Sequence, residues 1–189
     1  MDNSCKNEKI IIRTPAKEDF ARVKAICEDR FGEGYIFEKD FLNWITDYKY
    51  CKVAVSDDKV VGIVYLMPED KETLAKALKL DKNFVENVSN GKRVIHSRCA
   101  AIDKAYEHRG ISEILHREIF KNIDSGDFGA IFAPAWTYQG FTPMAKLLNK
   151  YGYEFIGEKE NLWYGMEGYK CIICGGKCKC KAAVYMKKL

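Results

Sequence analysis

No stretch of this sequence is apolar for long enough to cross a bilayer, and the opening MDNSCKNEK lacks the apolar core of a secretion signal. These two absences predict a cytoplasmic protein with no membrane partner. An excess of one charge is also missing. Lysine and arginine total 31 against 27 aspartates and glutamates, a net charge of +4, so no basic stripe argues for nucleic acid. The only local excess is Lys177, Lys179, Lys181, Lys187 and Lys188, read as a solvated end. There is no internal repeat and no low-complexity segment. Histidine is scarce, with three in 189 residues, which narrows the search for a group that titrates near neutrality.

What is present fits one domain. Apolar residues make up 47%, enough for a real core in a chain of this length. Residues 1–8 read as a frayed end. Ile10-Ile11-Ile12 is a short strand, and Thr14 with Pro15 signals a helix carrying Phe20, Val23, Ile26 and Cys27 on one face. A second helix is predicted over 39–48. Cys51–Val55 and Val60–Leu66 flank Ser56-Asp57-Asp58-Lys59, a hairpin signal. A helical insertion spans 70–90, and Val94–Ile102 is a strand. A helix over 112–123, a strand over 128–134, a short helix after Thr142-Pro143 and two final strands complete the chain. This order predicts an α+β single domain with a mixed, mostly antiparallel sheet flanked by helices. Its strand–helix–strand unit from Val94 to Pro134 is a right-handed parallel crossover.

The stretch that organises the chain is Ala101–Phe120. Ala101 and Ile102 close a strand. A polar turn, Tyr106-Glu107-His108-Arg109-Gly110, follows, then Ile111, Ile114, Leu115, Ile119 and Phe120 recur at helical spacing, with Ser112 as candidate cap. A helix opening on a Gly turn presents free N–H groups and its positive dipole end, a seat for phosphate or pyrophosphate. His108 and Arg109 can add positive charge. A plain connecting turn has the same pattern.

This order of elements, with its turn, resembles the GNAT superfamily of acyl-CoA-dependent N-acetyltransferases. Gly110 matches the first fixed Gly of the family turn and Ser112 stands for its second small residue, while Glu107 replaces the usual Arg or Gln. A second signature, a short helix ending in a Gly-aromatic pair before a strand, is similar to Leu147–Gly157. The resemblance implies a GNAT-like core over 1–170. Residues 171–189, holding a four-cysteine knuckle and the final strand, would complete the same domain. It implies acetyl-CoA as cosubstrate, seated by Ala101, Ile102, Arg109, Gly110, Ile111 and Ser112, and a small-molecule or peptide amine as acceptor. Many members carry a Tyr near the second signature that protonates the leaving thiolate. Four residues before Gly152 this chain has Leu148; Tyr138, Tyr151 and Tyr153 are nearby, and Tyr138 is the candidate acid.

Direct attack by an amine needs a base near neutrality, and His96, on the strand before the turn, has a suitable ordinary pKa. Strict alternation puts Val94, His96, Arg98, Ala100 and Ile102 on one face of that strand. His116, on the following helix, is predicted at the surface. Cys99 lacks the partners of a covalent nucleophile.

Four of the eight cysteines fall in Cys171-Ile-Ile-Cys174-Gly-Gly-Lys-Cys178-Lys-Cys180. The opening pair followed by Gly has zinc-knuckle form, and four thiolates make a closed, structural metal site. The closing pair is tighter than common zinc spacings, and an iron–sulfur cluster or a redox-labile tail is the alternative. Two further readings of the whole chain remain open: a non-catalytic acyl-CoA-binding regulator, or an interaction module built on the knuckle.

Overall fold

The computed structural model describes residues 9–46 and 48–189. The segment read as a frayed end, with Cys5 in it, lies outside these residues, as does Asp47. Among the described residues, no helix is long and apolar enough to cross a membrane.

Seven strands form one sheet in the order β1-β3-β4-β5-β6-β9-β7: β1 (Ile11–Arg13), β3 (Cys51–Ser56), β4 (Lys59–Glu69), β5 (Arg93–Ile102), β6 (Phe128–Thr137), β9 (Lys181–Lys188) and β7 (Glu154–Glu160). Every neighbouring pair is antiparallel except β5 and β6, joined by the predicted crossover through α5 (Ile111–Phe120). A separate two-stranded ladder pairs β2 (Gly32–Glu33) with β8 (Lys170–Cys171). One face of the sheet is covered by α5 and α6 (Ala145–Lys150), with Ile111, Leu115, Ile119 and Leu148 packed on Ile95, Ile131 and Ala133. On the other face, α1 (Phe20–Phe31) and α2 (Glu38–Thr46) pack Val23, Phe41 and Trp44 onto Val53, Ile63 and Tyr65. Beside them, α3 (Lys71–Ala77) and α4 (Lys82–Ser89) bury Leu74 and Val85 on Val94 and Phe132.

Three predicted elements differ in detail. α1 begins at Phe20, not in the turn after Thr14, because Asp19 accepts from the two terminal guanidinium nitrogens of Arg13 (2.6 and 2.8 Å) and from the Ala16 N–H (2.7 Å) in a single 3₁₀ turn. The insertion at 70–90 is two helices. Asp70 caps the first through Thr73 N–H and Asp81 caps the second through Phe84 N–H, with Lys79 at φ 52° between them. On β5, alternation breaks at Arg98. Tyr65 pairs with Cys99 and Leu66 with Ser97, so Arg98 is an extra residue without a partner on β4. The bulge moves Cys99 and Ala101 to the α1–α2 face and Ala100 and Ile102 to the α5 face. The single-face set from Val94 to Ile102 does not hold.

Candidate functional site

Three features meet around the middle of β5. The first is a gap in the sheet. The β5–β6 ladder runs from Arg93↔Phe128 to His96↔Phe132 and stops there. β5 continues to Ile102 against β4, and β6 continues to Thr137 against β9. Two strands that share four ladder pairs and then keep only their outer partners must part, leaving backbone groups on both lips without sheet acceptors.

The second is the turn into α5. Gly110 is the N-cap, at φ 75°, with no side-chain cap. This corrects the assignment of Ser112, which lies in the first turn of the helix. The left-handed Gly cap leaves the first N–H groups of α5, at Ile111 and Ser112, without intrahelical acceptors and facing outward. A cleft of about 20 Å³, room for about one water, lies alongside and is lined by Ala100, Ala101, Ile102, Ser112, His116 and Met144 among others. The structure therefore brings Ala101, Ile102, Gly110, Ile111 and Ser112 to one corner. Arg109 reaches that corner only by its backbone. Its guanidinium folds back to the Ala105 carbonyl (3.0 Å) and over the Tyr106 ring (4.6 Å). Glu107, the departure from the family turn, is ion-paired with Arg30 of α1.

The third is His96, buried at the last rung before the gap, with Nδ1 3.0 Å from Glu69 Oε2. Burial holds the imidazole below its ordinary pKa, and the Glu69 hydrogen bond opposes that. Glu69 ends β4 one position past Pro68 and pairs with Val94. Its meeting with His96 depends on the cross-strand register, so no signal within the sequence announced it. Tyr138 sits apart, just beyond β6. Its ring is 41% exposed and stacks on Trp136, with centroids 6.1 Å apart. Leu148 is buried in the α5–α6 core, so no hydroxyl replaces it there. His116 is not at the surface. It is 7% exposed, stacked between Phe120 (4.3 Å) and Tyr151 (4.2 Å), and its Nδ1 has no hydrogen-bond partner among the described residues. Burial and the charge of Lys187 bring its pKa to about 4.

The four C-terminal cysteines converge. Their sulfurs all lie within 4.8 Å of one another, with Cys171–Cys180 at 3.8 Å and Cys174–Cys180 at 3.6 Å. The edge of a zinc–thiolate tetrahedron with bonds of about 2.3 Å is about 3.8 Å. N–H donors surround the sulfurs. Lys179 N–H donates to Cys174 Sγ (3.3 Å). Burial raises the Cys171 thiol, but the N–H groups of Cys174 and Ile173 hold it below its ordinary value. The Trp136 indole N–H is buried without a hydrogen-bond partner among the described residues, and its ring packs on the cluster. Burial pushes the Cys180 thiol up to about 11, with the indole opposing that rise. Donors aimed at sulfur suit thiolates, the form that ligates metal. Four such thiolates can hold a metal ion.

No family model matches the chain, and no curated protein matches it in sequence. Solved structures do match in shape. Arabidopsis thaliana Naa50, bound to the bisubstrate analogue CoA-Ac-MVNAL, superposes with a TM-score of 0.65 at 15% identity, covering 95% of this chain and 99% of that one. A GNAT-family acetyltransferase from Streptococcus pneumoniae gives 0.62 at 17% identity, with 96% and 100% covered. This chain has the GNAT fold. Arabidopsis NAA60, also solved with a bisubstrate analogue, gives 0.67 at 14% identity over 95% and 98%. The resemblance read from the turn and the Gly-aromatic signature therefore holds at the level of the GNAT architecture across nearly the whole chain.

Proposed function

We propose that the protein transfers an acetyl group from acetyl-CoA to a primary amine in the cytoplasm. The observation that carries this is the α5 N-terminus opening onto a cleft beside the parted β5–β6 strands. The diphosphate sits on the N–H groups of Ile111 and Ser112, joined by those of Arg109 and Gly110. The acyl arm lies along Ala101 and Ile102 and carries the thioester to the gap, where unpaired strand N–H groups stabilise the oxyanion. The bulge leaves His96 on the α1–α4 face and the cleft on the α5–α6 face. Amine and thioester then approach the gap from opposite sides.

The chemistry is a direct displacement. The amine nitrogen bonds to the carbonyl carbon, the C–S bond breaks, and the amine proton passes to His96, directly or through one water. The thiolate takes a proton from a hydroxyl or solvent, and Tyr138, one residue past the end of β6, is the acid we assign. Glu69 orients the imidazole and supports its charged form. The thiolate cluster, with residues 171–189 completing the domain, holds zinc as a structural ion. With all four positions filled by protein, zinc contributes no open site to the chemistry.

Leu148 favours one second reading, a protein that binds acyl-CoA without turning it over. Calorimetry with acetyl-CoA, followed by thiol release across a panel of peptide and small-molecule amines, separates the two. Binding with turnover supports the transferase. Binding without turnover on any amine supports the regulator, and no binding overturns both.

A further inference from the structure

The cysteine cluster is joined to both lips of the gap. Cys171 is part of β8 and stands opposite Gly32 of β2. The two backbones approach so closely that a Cβ at Gly32 would fall 2.0 Å from the Lys170 carbonyl oxygen, at a φ of 124° that favours glycine. The Ile172 N–H and the Tyr169 hydroxyl both donate to the Phe31 carbonyl, at 2.9 and 2.8 Å. Just past β2, Tyr35 packs its ring on Phe31 (4.3 Å) and Tyr169 (5.9 Å). Its hydroxyl donates to the Arg98 carbonyl at 2.8 Å. Arg98 is the bulge residue, unpaired on β4, so this bond anchors the backbone of β5 just beyond His96. The opposite lip is reached through Trp136 of β6, which pairs with Ala182 and packs its ring against the cluster of Tyr169, Cys171, Cys178 and Cys180.

We propose that zinc held by Cys171, Cys174, Cys178 and Cys180 fixes the separation of β5 and β6, with Tyr35 and Trp136 as the positioning residues that carry the constraint to the two lips. A loop of this length buries only a small satellite cluster of its own: Tyr169 and three of the cysteines, with a few partly buried aromatics around them. The ion replaces the missing core and sets the loop. The loop fixes β8, β8 fixes the register of β2, and β2 aims Tyr35 at Arg98. The proposal rests on the zinc reading above and is independent of which amine is accepted.

The test uses the full chain, zinc-loaded and chelator-stripped, with metal content, hydrogen exchange and acetyl-CoA calorimetry as readouts. About one zinc per chain is expected. Stripping it speeds amide exchange about tenfold or more at 31–36, 97–100 and 134–138, with little change at 51–55 and 111–120. Tyr35→Phe retains zinc yet speeds exchange at 97–100, and Trp136→Phe does the same at 134–138. These two variants decide the matter even where stripping unfolds the whole chain. Exchange that changes only at 170–181, or positioning variants that leave their lips unaltered, overturns the positioning role. A protein that takes up no zinc overturns it together with the zinc reading. Coupling without transfer to any amine leaves the positioning role standing and removes only the transferase reading.

Discussion

Arg30, in the last turn of α1, is ion-paired with Glu107, the residue at the head of the turn into α5. The pair answers the question raised by a carboxylate in the turn proposed to seat the diphosphate. Its charge is met from across the molecule before any anion arrives, and a guanidinium is delivered to the mouth of the seat. Arg30→Gln leaves the carboxylate alone there and weakens acetyl-CoA about fivefold to tenfold. Glu107→Gln frees Arg30 and tightens binding. Both effects shrink with added salt, since both side chains are partly exposed. Calorimetry at two ionic strengths checks the pattern, and a Glu107→Gln protein that binds more weakly than the parent contradicts it.

His96 and Glu69 should separate in kinetics. His96→Gln lowers kcat/KM about a hundredfold or more and leaves acetyl-CoA affinity unchanged. Burial depresses the imidazole pKa, so the acid limb of the rate profile lies below about pH 6.5. Glu69 raises that pKa, so Glu69→Gln moves the limb to still lower pH and slows the plateau. A limb that stays in place in Glu69→Gln removes His96 from the role of base.

His116 makes the fold acid-sensitive. Its pKa falls from about 6.5 in the unfolded chain to about 4 in the native one, a difference worth about 3 kcal/mol. For a depressed histidine this stability is fully present above about pH 6.5 and is lost as pH falls toward about 4. His116→Phe keeps a ring between Phe120 and Tyr151 and flattens that decline. Urea midpoints at neutral pH and at about pH 5 report it, and equal slopes for the two proteins refute it.

Gly32→Ala places a Cβ against the Lys170 carbonyl and forces β2 from β8. The expected loss is about 1–3 kcal/mol, together with weaker zinc retention against a competing chelator. Loss of stability with unchanged zinc retention separates the ladder from the metal.

The sequence made some of this plain and hid the rest for definite reasons. Periodicity and turn residues gave the order of elements, and Gly110 marked the turn into α5 because its backbone conformation is local. The cysteine spacing predicted a shared site because its ligands lie close in the chain. The bulge at Arg98 leaves no local trace, so strict alternation put Ala100 and Ile102 on the wrong face. His116 reads as a surface residue on its own helix and is covered only because Tyr151 and Tyr153 return after α6. Glu69, Arg30 and Tyr35 find His96, Glu107 and Arg98 across 27, 77 and 63 residues, contacts that only strand register and helix docking create.

The place of β9 between β6 and β7 bears on how the molecule is made. β7 reaches the sheet only through β9, and β9 is synthesised after both of its neighbours. On the ribosome, β6 therefore waits with an open edge and β7 has nothing to join until the cysteine loop has emerged and turned the chain back. The four cysteines emerge just ahead of the strand that closes the sheet. Under the zinc reading proposed above, zinc supplied during synthesis would set that loop before β9 arrives, and so bear on how many chains close the sheet before their exposed edges pair with one another.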